Sequence, residues 1–172
     1  MGDYGIRTPA QLDSLHTATR LTHPIALHLD LVYIIHLRSS HSSLSDPAQE
    51  LTGPMVGVVT LGQRHPQMPP DIGWALLAEF MGKGYATEAA REFLRAAREE
   101  MGIRDVCTWP DESNRESNRV MEKLGFVEGG SVRVREEGKK VPVWILPGME
   151  RVSEGLEISF WGEGTSEFSA KP

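Results

Sequence analysis

Met81-Gly82-Lys83-Gly84-Tyr85-Ala86-Thr87-Glu88-Ala89 decides how this chain folds, because two glycines spaced one residue apart stand directly before a helical pattern. From Ala86 onward, Ala89, Ala90, Phe93, Leu94, Ala97 and Met101 recur three or four apart and form one apolar stripe. The spacing predicts a long helix that Gly102 can end. Glycines at the entrance remove side chains, so consecutive backbone N–H groups can meet an anion, and the helix dipole adds favourable potential. Lys83 brings a positive charge to the same bend. A strand-to-helix turn with no ligand is the other reading of the same glycines. There is no third glycine at the dinucleotide-binding spacing and no Gly-Lys-Ser/Thr ending.

Upstream of this bend, Leu31 to Arg38, Met55 to Leu61 and Asp71 to Leu77 carry β-branched and aromatic residues and read as three strands. Ser39 to Gly53 is a serine-rich connection, and Arg64 to Pro70 is a loop with three prolines. Thr8-Pro9-Ala10-Gln11 has the form of a helix start, so a helix is expected from Pro9 towards Arg20, stopped by Pro24. Downstream, Ile103 to Trp109 reads as a strand, and Val120, Met121 and Leu124 share the face of a shorter helix that Gly125 ends. Phe126 begins the next extended segment. Val132 to Arg135 and Val141 to Leu146 flank the hairpin turn Glu136-Glu137-Gly138-Lys139. Residues 1–150 form the expected domain, and 151–172 a tail in which alternating Leu156, Ile158 and Phe160 suggest an extra strand near Glu157. The order strand, glycine turn, helix, strand, helix is α/β in character.

Composition narrows the function classes. At 172 residues and 19.1 kDa, with 40% hydrophobic and 24% charged residues, the chain has the make-up of one globular domain. Eighteen Lys plus Arg against 24 Asp plus Glu give a net charge of −6, which argues against nucleic acid as the partner. The lone Cys107 excludes an intrachain disulfide and a cysteine zinc cluster, and it suits a reducing compartment. The start Met1-Gly2-Asp3-Tyr4-Gly5-Ile6 lacks a signal-peptide pattern. The apolar run Ile25 to Leu37 is short and broken by His28, Asp30 and His36. A soluble, cytoplasmic protein without membrane contact is expected. Histidines at 16, 23, 28, 36, 41 and 65 show no paired metal spacing, so no metal is expected.

Asp71-Ile72-Gly73-Trp74, then Gly82-Lys83-Gly84-Tyr85-Ala86-Thr87-Glu88-Ala89, then Asn114-x-x-Ser117-x-Arg119-Val120-x-Glu122-Lys123-Leu124-Gly125-Phe126 closely resemble the GNAT superfamily of acetyl-CoA-dependent N-acetyltransferases. The branch most similar is that of the ribosomal-protein alanine acetyltransferases, and the resemblance covers about residues 54 to 147. It implies a mixed, mostly antiparallel sheet, splayed at the cofactor site and flanked by helices. It also implies that the main chain of Gly82, Lys83, Gly84, Tyr85, Ala86 and Thr87 holds the pyrophosphate of coenzyme A. Leu76, Leu77 and Ala78 would offer unpaired backbone groups to pantetheine, with Asn114 reaching it from the other side of the cleft.

The reaction so implied is direct attack of a neutral amine on the thioester of acetyl-CoA, with a backbone N–H near Leu77 holding the oxyanion and the thiolate leaving. Asp71 is the candidate base, standing where relatives carry Glu, and its alternative is a solvated loop residue behind two prolines. Glu79 is a second candidate base. Ser117 is the candidate acid near the sulfur and also a cofactor contact, its alternative being a helix cap. Tyr85 reads as packing at the turn. Cys107 reads as an inert buried thiol, and Glu88, Arg91, Glu92, Arg95, Arg98 and Glu99 as a solvated helix face. Trp109, Trp144 and Trp161 are candidates either for an acceptor pocket or for packing.

Met81 replaces the Gln or Arg common at the head of the turn motif. Family members usually open with a strand and two helices, whereas about 30 residues precede Leu31. The opening strand is expected to be absent, supplied by the tail at Leu156 to Phe160, or replaced by a partner chain, and a homodimer fits this reading. The resulting expectation is an acetyltransferase of a protein N-terminus or small-molecule amine. The alternatives are a catalytically silent acyl-CoA-binding or protein-interaction module of the same fold, and an interaction domain without coenzyme.

Overall fold

The computed structural model describes residues 31–37 and 53–159. The helix expected from Pro9, the Ser39 connection, Phe160, Trp161 and histidines 16, 23, 28 and 41 lie outside the described residues. The elements in chain order are β1 (Leu31–His36), β2 (Met55–Gly62), β3 (Asp71–Leu76), a 3-10 turn (Ala78–Phe80), α1 (Tyr85–Glu100), β4 (Cys107–Thr108), α2 (Arg115–Leu124), β5 (Val127–Val134), β6 (Lys139–Ile145) and β7 (Glu157–Ile158). One seven-stranded sheet runs β1-β2-β3-β4-β6-β5-β7. Its pairings are antiparallel except β3 with β4 and β5 with β7. This is the mixed, mostly antiparallel α/β arrangement expected.

Side-chain alternation along the strands divides the core into two layers. Val59, Leu61, Ile72 and Val106 turn to one face, where Ala90 and Phe93 of α1 and Met121 of α2 close over them. Cys107, next to Val106, turns the other way and joins Val132, Val143, Ile145 and Ile158 on the opposite face. The apolar stripe read from the sequence is the buried face of α1, with Ala86, Ala90, Phe93 and Ala97 all buried. Helix α2 ends as expected. Gly125 is left-handed (φ 84°), its N–H donates to the Glu122 carbonyl (3.0 Å), and the Phe126 N–H donates to that of Met121 (3.3 Å).

Three expectations change. The segment Ile103 to Trp109 is a ladder only at Cys107–Thr108, because β6 pairs with these two residues alone and β3 with Cys107 alone. The expected strand Val132 to Arg135 begins earlier, at Val127, since its whole length pairs with β6. The tail does supply a strand, but β7 lies beside β5 at the opposite edge of the sheet from β1. It therefore does not extend the β1–β2 hairpin. The Arg133 and Arg135 N–H groups hold it, donating to Leu156 (2.8 Å) and Ile158 (2.9 Å) carbonyls. Among the described residues no helix is long and apolar enough to cross a membrane.

Candidate functional site

The glycine bend follows β3 through the 3-10 turn and opens α1. Gly82 (φ 74°) and Gly84 (φ 89°) both occupy the left-handed region, where an L side chain is strained. A Cβ at either would meet nothing within 4 Å, so the requirement is backbone angle and not crowding. No side chain caps α1, and its first bond runs from the Glu88 N–H to the Gly84 carbonyl (3.1 Å). The N–H groups of Tyr85, Ala86 and Thr87 precede that bond and have no helical acceptor. With the dipole of a 16-residue helix behind them, they suit an anion. The Lys83 ammonium lies over the Phe80 ring, 5.3 Å from its centroid. Tyr85 packs beside Val56, Leu76 and Ala86, the packing role expected of it.

Beside the bend, β3 and β4 part company. Cys107 donates its N–H to the Pro70 carbonyl (2.9 Å), and the Thr108 hydroxyl donates to the Ile72 carbonyl (3.0 Å). Past Ile72 no ladder joins the two strands. The antiparallel register with β2, together with the Leu77 N–H bond to the Val56 carbonyl (2.9 Å), turns alternate residues of β3 towards β2. Trp74 and Leu76 therefore present their main-chain N–H and C=O groups to the gap. This corrects the sequence expectation in one respect: Leu77 has given its N–H to β2 and cannot donate it to a ligand. Ala78 has already entered the 3-10 turn.

At the foot of the gap is an open cleft of about 200 Å³ lined by Arg64, Asp71, Trp74, Thr108, Trp109 and Ser117, among others. Asp71 is not a solvated loop residue; it opens β3, is buried, and accepts a hydrogen bond from the Arg64 Nε (2.9 Å). The Arg64 guanidinium also lies over the Trp109 ring, 5.9 Å from its centroid. Ser117 reaches the cleft from the first turn of α2. The cap of that helix is Asn114, whose side-chain oxygen accepts the Ser117 N–H (3.1 Å), so the capping alternative belongs to Asn114 and not to Ser117. Glu79 is exposed on the 3-10 turn and does not line this cleft.

The remaining candidates fall away from the cleft. Cys107 is fully buried with its thiol against the Pro69 carbonyl (3.3 Å). Burial first, and the Asp71 charge second, push that thiol well above its ordinary range, which disfavours a nucleophilic role. Trp144 packs against the core beneath α1. Arg95 pairs with Glu92, Glu99 and Glu100 along the exposed face of α1. His36 donates from Nδ1 to the Gly53 carbonyl (2.9 Å), and the His65 Nδ1 accepts the Gln67 N–H (3.1 Å). Among the described residues no three His, Cys, Asp or Glu side chains gather around a metal-sized space. Sequence reading missed Arg64 and Thr108. Arg64 sat in a proline loop and Thr108 in an ordinary strand, and only the tertiary fold brings them to the cleft.

The "Acetyltransferase (GNAT) domain" family model matches residues 24–127, well over half of the chain. The chain is 36% identical over 63 residues to the proposed ribosomal N-acetyltransferase YdaF of Bacillus subtilis, a match covering 37% of this chain and 34% of that protein. It is 35% identical over 60 residues to the uncharacterised N-acetyltransferase YnaD of the same organism, covering 35% of each. The chain thus spans about a third of the length of these curated relatives. Among solved structures, the ribosomal-protein-S5-alanine acetyltransferase of Vibrio fischeri superposes with a TM-score of 0.52 at 17% identity, over 79% of this chain and 66% of that one. A chimera of the Vibrio cholerae spermidine N-acetyltransferase SpeG with hSSAT gives a TM-score of 0.54 at 14% identity, over 81% and 76%. At such identities the superpositions show the fold alone. The glycine bend, the parted strands and the family match across residues 24–127 agree: the chain belongs to the GNAT acetyltransferase domain family.

Proposed function

We propose that this chain is an acetyl-CoA-dependent N-acetyltransferase acting on a primary amine, a protein N-terminus or a small molecule. The observation that carries the reading is the parting of β3 from β4 beyond Asp71 and Ile72, beside a glycine bend with unspent N–H groups. The site fits the coenzyme. Gly82 to Thr87 offer main-chain donors to a diphosphate, and the bare surface at Gly82 and Gly84 lets it approach. Trp74 and Leu76 offer main-chain groups to amides, as a strand edge does for a peptide. Acetyl-CoA, when bound, supplies the thioester as acyl donor.

The chain's own residues have three tasks. Asp71 takes a proton from the incoming ammonium, directly or through one water, because only a neutral amine is nucleophilic. Ser117, on the far wall of the cleft, offers its Oγ proton to a departing sulfur. Asn114, by capping α2, holds that serine's backbone in place. Similar proteins include ribosomal-protein and spermidine N-acetyltransferases, whose acceptors are amines. The acidic net charge suits such cations, and a cytoplasmic site of action suits the substrates. The Arg64 partner on Asp71 favours one second reading, a silent acyl-CoA-binding module of the same fold, since a carboxylate tied to a guanidinium is not poised to take a proton. Thiol release from acetyl-CoA, measured with spermidine and with a peptide bearing an N-terminal alanine, separates the two. Amine-dependent release supports the transferase. Saturable coenzyme binding without release supports the module.

A further inference from the structure

We propose that the Asp71 carboxylate and the Trp109 ring form a cation subsite for the acceptor's ammonium group, and that the Arg64 guanidinium fills this subsite until the acceptor displaces it. The proposal rests on the transferase reading above and names what its acceptor end recognises: the positive charge of one alkylammonium group.

A carboxylate as buried as Asp71 is costly to strip of its cation, so a cation that takes the place of Arg64 is favoured over an empty position. In this structure the resident cation is Arg64, held at 2.9 Å from Oδ1 and over an aromatic face at 5.9 Å. A carboxylate together with an aromatic face is what selects an alkylammonium, by charge, hydrogen bonding and cation–π attraction. Arg64 comes from the loop between β2 and β3 rather than from a strand, and its side chain is 29% exposed against 10% for Asp71. The guanidinium is thus the more exposed member of the pair, the one an incoming cation meets first. All three residues line the one cleft that Ser117 also lines. Exchanging Arg64 for a substrate ammonium puts one cation in the place of another, so the buried carboxylate is not uncovered. The exchange also resolves the difficulty that Asp71 cannot take a proton while Arg64 holds it.

The test is a calorimetric titration of the full chain with n-butylammonium chloride against sodium chloride at equal ionic strength. Arg64→Gln should bind butylammonium about five- to tenfold more tightly than wild type, because the resident competitor is gone. Arg64→Lys, which keeps a cation, should stay near wild type, and Trp109→Phe introduced into Arg64→Gln should weaken the gain. If Arg64→Gln fails to fold, Arg64→Met keeps the aliphatic stem and gives the same comparison. Equal or weaker binding by the neutral variant overturns the proposal, for Arg64 is then a fixed part of the wall. A missing thermal shift with acetyl-CoA would defeat the transferase reading while leaving this titration intact. Equal butylammonium affinities would defeat the subsite while leaving coenzyme binding intact.

Discussion

Asp71 and Cys107 are the one ladder pair between β3 and β4 among the described residues, and the carboxylate of the first lines the cleft that opens just beyond it. The bridge marks where the sheet divides, with β1-β2-β3 on one side and β4-β6-β5-β7 on the other, each packed with apolar side chains. Beyond the bridge Trp74 and Leu76 turn main-chain groups into a gap.

The Thr108 hydroxyl bond to the Ile72 carbonyl is the second stitch at that point, and Thr108 is buried. Thr108→Val should destabilise the fold by about 1–3 kcal/mol, because the buried carbonyl loses its donor while the volume hardly changes. Urea unfolding monitored by circular dichroism measures this. A variant as stable as wild type would show that the stitch is dispensable.

Asn114→Ala removes the side-chain cap of α2. The expected loss is about 1 kcal/mol of stability. It should be accompanied by a raised KM for acetyl-CoA, since the Ser117 turn is no longer pinned. Thermal denaturation and steady-state kinetics on the same preparation check the two effects together.

Asp71→Asn should lower turnover by about 100-fold or more while acetyl-CoA still binds, as expected when a proton acceptor is removed and the donor site is left alone. Equal loss in Glu79→Gln would contradict the assignment, because Glu79 is exposed and outside the cleft.

Cys107 gives a pH dependence whose sign follows from its burial. The folded chain holds the thiol neutral well above the ordinary value of 9.0, whereas the unfolded chain ionises it there. Its contribution to stability is therefore full below pH 9 and falls as pH climbs beyond that value, because only the unfolded state then releases the proton. Unfolding free energies between pH 8 and 10.5, compared with Cys107→Ala, measure it. A Cys107→Ala chain with the same alkaline slope as wild type would contradict the assignment of the slope to this thiol.

The elements that sequence made legible are those with a strong local signal. The period of Ala86, Ala90, Phe93 and Ala97 marks α1, paired glycines mark the bend, and Gly125 marks the end of α2. What stayed hidden depends on long-range pairing. β4 is a two-residue ladder because β3 and β6 pair with it only at Cys107 and Thr108, and nothing within Ile103 to Trp109 encodes where those partners stop. The resemblance implied an oxyanion donor near Leu77, yet the register with Val56 commits that N–H to β2. Arg64 reaches Asp71 across seven residues of a proline-rich loop whose path the sequence does not specify. The motif residues were thus readable as a set, while the charge state and company of each came only from the fold.

The central claim is that the main chain from Gly82 to Thr87 holds the diphosphate of acetyl-CoA. Isothermal titration of the full chain with acetyl-CoA, repeated on Gly84→Glu, tests it most directly. Wild type should bind saturably near one molecule per chain and the variant not at all, since its carboxylate would stand where the anion sits. No heat from wild type, or undiminished binding by a folded Gly84→Glu, would contradict it.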